Sequence, residues 1–137
     1  MGTDIPERIR AEIARRAGYC CEYCGVHEED AGFAMQLDHV ISRKHGGAST
    51  LENLAYCCRV CNRGKGPDVA SFDHATGEVI RLFNPRHDLW REHSRLDGAE
   101  IKALTKVGEA TVWTLGLNAR KRLQERAGLI RMGRYPR

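Results

Sequence analysis

A chain of 137 residues, 42% of them hydrophobic, can bury one modest core. No stretch approaches the length of a membrane-spanning helix, and no linker separates a second domain, so one domain over residues 1–137 is expected. The net charge of +4, from 22 Lys and Arg against 18 Asp and Glu, is too mild to name a partner, but its distribution is uneven. Residues 20–37 hold four acids and no Lys or Arg. Residues 38–66 hold five bases and two acids, and residues 118–137 hold seven bases and one acid. Two basic zones around a neutral body suit a polyanion.

In chain order, "DIPERIRAEIARRAG" predicts a helix within residues 1–18, with Asp4 and Glu7 at capping-box spacing, Pro6 near its start and Gly18 as its stop. Ile5, Ile9 and Ile13 would line its buried face. The opening "MGTDIPERIR" lacks an apolar signal core, and Pro6 breaks the myristoylation pattern. A soluble, cytoplasmic protein with reduced thiols is the expectation.

All six cysteines lie in two rhyming stretches, "YCCEYCG" at 19–25 and "YCCRVCN" at 56–62. Paired Cys-x-x-Cys units in a reducing compartment point to a structural zinc site of four thiolates. The two-residue register uses Cys21, Cys24, Cys58 and Cys61. An alternative register would use Cys20 with Cys24 and Cys57 with Cys61. Two intervening residues suit a knuckle turn, and Gly25 follows the first pair, so Cys20 and Cys57 are read as spare thiols that pack as small hydrophobes.

The 33 residues from Gly25 to Cys57 exceed the roughly fifteen to twenty of a simple zinc ribbon, so something is built inside the staple. "FAMQLDHV" predicts a short strand, "SRKHGGAST" a polar turn, "ENLAYCC" a second strand and "RVCNRGK" a brief helix ended by Gly66 and Pro67. Beyond it, "ASFDHATGEVIRLFNP" reads as a hairpin turning at 75–77, with Val79, Ile80, Leu82 and Phe83 on the return strand. Residues 99–131 read as helical with a break near Gly116 and Asn118. Trp90 and Trp113 are expected as core anchors. Arg120, Lys121, Arg122 and Arg126 are expected on one helix that could follow a nucleic-acid backbone. His27, His74 and His87 show no ligand spacing, and His93 is a weak candidate for a site.

"LDHVISRKHGG" followed by "LENLAYCCRVCNRGKG" resembles the HNH endonuclease family over about residues 19–66. The resemblance implies an α+β fold: a small ββα-metal core stapled by the four-cysteine zinc site, with an N-terminal helix before it and a hairpin plus helices in the 67–137 extension. It implies Asp38 and Asn62 as ligands of the catalytic ion, His39 as general base, and Asn53 as the asparagine that braces the loop. Asn62 stands where many members have histidine. A carboxylate and an amide oxygen are hard donors, which suit Mg²⁺ or Mn²⁺ with several waters better than Zn²⁺.

Phosphodiester hydrolysis needs a deprotonated water on one side of phosphorus and charge stabilisation on the other. His39 and the ion at Asp38 and Asn62 could divide those tasks. Arg43, Lys44, His45, Arg63 and Lys65 are candidate phosphate contacts on a DNA partner. The function this implies is a metal-dependent DNA endonuclease leaving 5′-phosphate and 3′-hydroxyl ends. The alternative is a zinc-stapled nucleic-acid-binding module without catalysis. A thioredoxin-like use of Cys-x-x-Cys lacks the βαβ context it needs.

Overall fold

The computed structural model describes residues 5–137. These form an α+β chain in which three separate two-stranded antiparallel sheets, among the described residues, are packed together by five helices. The first helix, α1, runs Glu7–Arg16, with Pro6 at its N-cap and Ile13 fully buried. Ile5 and Ile9 are half-buried on the same side. The capping box expected of Asp4 lies outside the described residues.

Strands β1 (Gln36–His39) and β2 (Leu54–Cys57) pair antiparallel, with Asp38 opposite Ala55 and His39 opposite Leu54. Between them the chain makes a short 3-10 turn, Arg43–His45. Helix α2 (Arg59–Lys65) follows β2 directly. Its Gly64 packs backbone to backbone on the end of a later helix, where an added Cβ would lie 3.0 Å from the Leu115 carbonyl oxygen. A second hairpin, β3 (Ala70–Phe72) and β4 (Val79–Arg81), rests on that same helix. Leu82 and Phe83 continue past β4 into the core, and the Phe83 amide is held by the Thr111 hydroxyl.

The extension departs from the sequence-based expectation at residues 94–103. After the single turn α3 (Trp90–His93), β5 (Ser94–Asp97) and β6 (Glu100–Ala103) form a third hairpin where the sequence reads as helix from residue 99. The two-residue loop between them is Gly98-Ala99, with Gly98 at φ of +61° in the first turn position, and Leu96 alternates with the exposed Arg95 and Asp97. Helices α4 (Lys106–Leu115) and α5 (Arg120–Arg131) do flank a break at Gly116. Thr105 caps α4 by accepting from the Gly108 amide.

The two tryptophans have different fates. Trp90 is half-buried and donates its indole N–H to the Tyr23 carbonyl at 2.9 Å. Trp113 is 69% exposed and meets the edge of His74, so its expected core role is corrected. It sits on the outer side of α4, whose inner side carries Ala110, Thr111 and Leu115. The main core joins the cysteine knuckles to Tyr23, Leu82, Phe83, Ile101, Leu115 and Leu117, so the 67–137 extension shares one interior with the ββα unit. Among the described residues no helix is long and apolar enough to cross a membrane.

Candidate active site and metal centre

The four sulfurs of Cys21, Cys24, Cys58 and Cys61 all lie within 4.8 Å of one another, each on a buried residue. The Cys24 and Cys58 sulfurs are 3.8 Å apart. A tetrahedral zinc with Zn–S of about 2.3 Å requires sulfur pairs about 3.8 Å apart, so the cluster has the size and ligand type of a closed zinc site. Each knuckle is folded by its own sulfur. The Cys24 amide donates to Cys21 Sγ at 3.5 Å, and the Cys61 amide donates to Cys58 Sγ at 3.4 Å. Cys58 therefore caps α2 as well as facing the cluster.

Gly25 turns the first knuckle with φ of +85°, and a Cβ added there would meet the Tyr135 side chain at 3.4 Å. Burial opposes ionisation of Cys21, yet hydrogen bonds from Cys24, Cys57, Cys58 and Cys61 hold its thiol well below the ordinary value. The hydrogen bond to Cys21 pushes Cys24 up, and burial does the same to Cys61. Four crowded thiols can all ionise only with a cation among them. Cys57 is fully buried with its sulfur turned to the Cys58 carbonyl, and Cys20 is half-buried at an isolated bridge to His27.

Alternation along β1 sends Asp38 and His39 to opposite faces. Asp38 and Gln36 face α2 and form two adjacent rungs with it. Asn62 donates its amide nitrogen to Gln36 Oε1 at 2.5 Å, and Lys65, one turn later, donates to Asp38 Oδ1 at 3.3 Å. Asp38 Oδ2 accepts from the Tyr23 hydroxyl at 2.7 Å, and the carboxylate is only 3% exposed. Burial pushes the Asp38 carboxyl above its ordinary value, with Lys65 and Tyr23 opposing the rise. Burial and the neighbouring Asp38 push the Tyr23 phenol up, so it remains a donor.

The expectation of Lys65 at the surface as a phosphate contact is corrected by its burial. It is 1% exposed, and its three ammonium protons are matched by Asp38 Oδ1, the His39 carbonyl at 3.3 Å and the Val40 carbonyl at 3.1 Å. Its position four residues after Cys61 on α2 turns it inward with that cysteine. Arg43, Lys44 and His45 are exposed at the loop tip, and Arg63 is exposed on α2.

The half-buried His39 ring meets Ser49 Oγ through Nε2 at 2.8 Å. Burial, reinforced by Arg43 and Lys65, holds its pKa below the ordinary imidazole value against the pull of Asp38. The loop that carries Ser49 is closed by Asn53. Its Oδ1 accepts from the Ile41 amide at 2.9 Å, while its Nδ2 donates to the Ile41 and Ala48 carbonyls, each at 2.9 Å. Gly47 allows that closure, since a Cβ there would stand 1.7 Å from the Ile41 carbonyl oxygen.

The α5 cluster divides. Arg120 and Lys121 are exposed, whereas the expectation that Arg122 and Arg126 face a nucleic acid is corrected. Arg126 is buried and donates to the Ala99 and Leu117 carbonyls, and Arg122 turns its guanidinium to the Cys61 sulfur at 3.0 Å. His93 bonds the Thr105 hydroxyl at 2.7 Å, away from the β1–α2 site. Sequence reasoning misses Tyr23, Ser49 and Gln36. No local spacing marks Tyr23 or Ser49 as a partner, but Gln36, two residues before Asp38 on a strand, is recoverable from the period of two.

Residues 21–68 match the family model described as HNH endonuclease. No match was found among curated proteins or among solved structures.

Proposed function

We propose that the HNH endonuclease domain at residues 21–68 makes this chain a metal-dependent DNA endonuclease, with His39 as general base and a divalent cation at Asp38 and Asn62. The observation that carries the reading is the braced histidine: a ring kept neutral by burial and fixed through Nε2 by Ser49, on a loop tied at three points by Asn53. In the tautomer that donates Nε2–H to Ser49 Oγ, Nδ1 is the unprotonated nitrogen that can take a proton from water. Asn53 acts through the loop and is a positioning residue.

Asp38 and Asn62 are hard oxygen donors by type, although Asp38 is 3% exposed beneath Tyr23 and Lys65, so a cation there would have to displace the Lys65 ammonium. Asp38 offers carboxylate oxygens that have each accepted one hydrogen bond and retain lone pairs, and Asn62 has its amide oxygen left after its nitrogen binds Gln36. Bound there, Mg²⁺ or Mn²⁺ supplies Lewis-acid stabilisation of the leaving oxygen. Arg43, Lys44, His45 and Arg63 supply exposed charge for DNA phosphates beside the cut. Zinc in the four-cysteine cluster has a structural role, fixing the two ends of the ββα unit.

Plasmid cleavage by wild type and His39→Ala, with Mg²⁺, Mn²⁺ or EDTA, tests the reading. Metal-dependent cutting that His39→Ala abolishes supports it; none by folded, zinc-loaded wild type refutes it. The second reading, a nucleic-acid-binding module without catalysis, is favoured by one observation: Asp38 is sealed under Tyr23 and Lys65. Its signature is DNA binding that neither EDTA nor His39→Ala alters, with no cleavage.

A further inference from the structure

Four thiolates and one Zn²⁺ leave two negative charges in excess inside a buried cluster. Such charge is costly unless donors outside the cluster offset it. Backbone amides supply two such bonds, to Cys21 and Cys58. Arg122 supplies a charged one. Its Nη2 lies 3.0 Å from Cys61 Sγ and 3.9 Å from Cys58 Sγ, while its Nη1 is anchored on the Leu115 carbonyl at 3.1 Å and the Gly116 carbonyl at 3.4 Å. The planar fork thus joins the C-terminal end of α4 to the sulfur cluster, a geometry a lysine cannot reproduce.

We propose that Arg122 is an outer-sphere partner of the zinc centre, a guanidinium contributed by α5 that stabilises the bound metal through the Cys61 thiolate. Arg122 lies beyond the matched residues 21–68, so the metal site is completed by the extension rather than by the ββα unit alone. The inference rests on zinc occupying the four-cysteine cluster and is independent of nuclease activity.

The test uses the full chain as wild type, Arg122→Gln, Arg122→Lys and Arg126→Gln. Arg126→Gln serves as the packing control, because Arg126 holds the same helix through carbonyls and Asn118 rather than through sulfur. Zinc content is measured first, and a wild type without zinc refutes the metal assignment itself. Zinc transfer to a chromogenic chelator is then followed. Arg122→Gln should weaken zinc retention by about 10- to 100-fold, with Arg122→Lys in between.

In the cobalt-substituted chain, Arg122→Gln should move the thiolate-to-cobalt charge-transfer band to lower energy, since the lost N–H···S bond raises the sulfur lone pair. Arg126→Gln should leave that band in place. Unchanged retention and an unmoved band in Arg122→Gln overturn the proposal, as does an equal change in Arg126→Gln. Should Arg122→Gln not fold, Arg122→Lys carries the test, and release at the wild-type rate overturns the proposal.

Discussion

Lys65 Nζ lies 3.3 Å from Asp38 Oδ1 with both side chains closed to solvent, a buried ion pair at the centre of the β1–α2 contact. Lys65→Met leaves the carboxylate without its cation and is expected to cost about 3–5 kcal/mol, the range for breaking such a pair from one side. The loss should depend on pH. The folded state already holds the Asp38 pKa above its unfolded value, and removing Lys65 raises it further. A carboxyl with a raised folded pKa favours folding while protonated and loses that contribution as pH rises through the folded value. Urea unfolding at several pH values should therefore find the variant least impaired in acid and worse toward neutrality; a penalty that is largest in acid would contradict the assignment.

If His39 is the general base, cleavage rises with pH as its ring deprotonates, and the rising limb of kcat/KM should fall below the ordinary imidazole value because burial lowers the pKa. Ser49→Ala removes the Nε2 partner and should lower the rate without changing DNA affinity. A pH profile with its limb above the ordinary imidazole value would count against this environment.

Asn53→Ala deletes three hydrogen bonds that close the 41–48 loop. Each is worth about 0.5–1.5 kcal/mol, and the orphaned carbonyls can turn to solvent, so a stability loss of about 1–3 kcal/mol is expected. Amide exchange at Ile41 should rise most. Gly47→Ala should disturb the same loop by a different route, because its Cβ has no room beside the Ile41 carbonyl. Both variants are expected to lose cleavage while keeping zinc, and a loop variant with full activity would remove the bracing role.

Cys21→Ser or Cys58→Ser should abolish stoichiometric zinc, whereas Cys20→Ser and Cys57→Ser should retain it. The two spare thiols should nonetheless differ in unfolding experiments. Cys57 is completely buried, and a serine hydroxyl there costs about 1–3 kcal/mol unless it finds a partner, while the half-buried Cys20 tolerates the exchange. Zinc lost from Cys57→Ser and kept by Cys58→Ser would instead support the three-residue register.

The two tryptophans offer a check on the extension. Trp113→Ala should fall within about 0.5 kcal/mol of wild type, as surface changes do. Trp90→Ala should cost about 3–5 kcal/mol, having lost both packing and the bond to the Tyr23 carbonyl.

Where spacing carries chemistry, the fold is readable from the sequence. Two-residue gaps between cysteines, the apolar positions of "FAMQLDHV" before a polar loop and the stop at Gly66 and Pro67 are local signals, and the strand, strand and helix of the ββα unit obey them. Long-range partners are not readable in this way. Lys65 looks like one more base in a basic stretch, and only the packing of α2 on β1 shows that it is buried. Trp113 is expected inside on hydrophobicity alone, yet the side of α4 it occupies faces water. Arg122 and Arg126 sit in a run of charge that suggests a solvated helix, and their roles come from partners as far as 64 residues away in sequence. The hairpin at 94–103 is legible from Gly98 at its turn, but the helical pattern of residues 106–131 masks it.

Tyr135 donates its hydroxyl to the Cys24 carbonyl at 2.7 Å across 111 residues of chain, and Arg134 reaches Asp30 beside it. The first knuckle therefore leaves the ribosome 111 residues ahead of a group that covers it. Until Tyr135 emerges, the nascent knuckle stays open on that side, and such sequence-distant closure is the slow kind. Any metal bound by the four cysteines before Tyr135 emerges would sit in a site still open on that side.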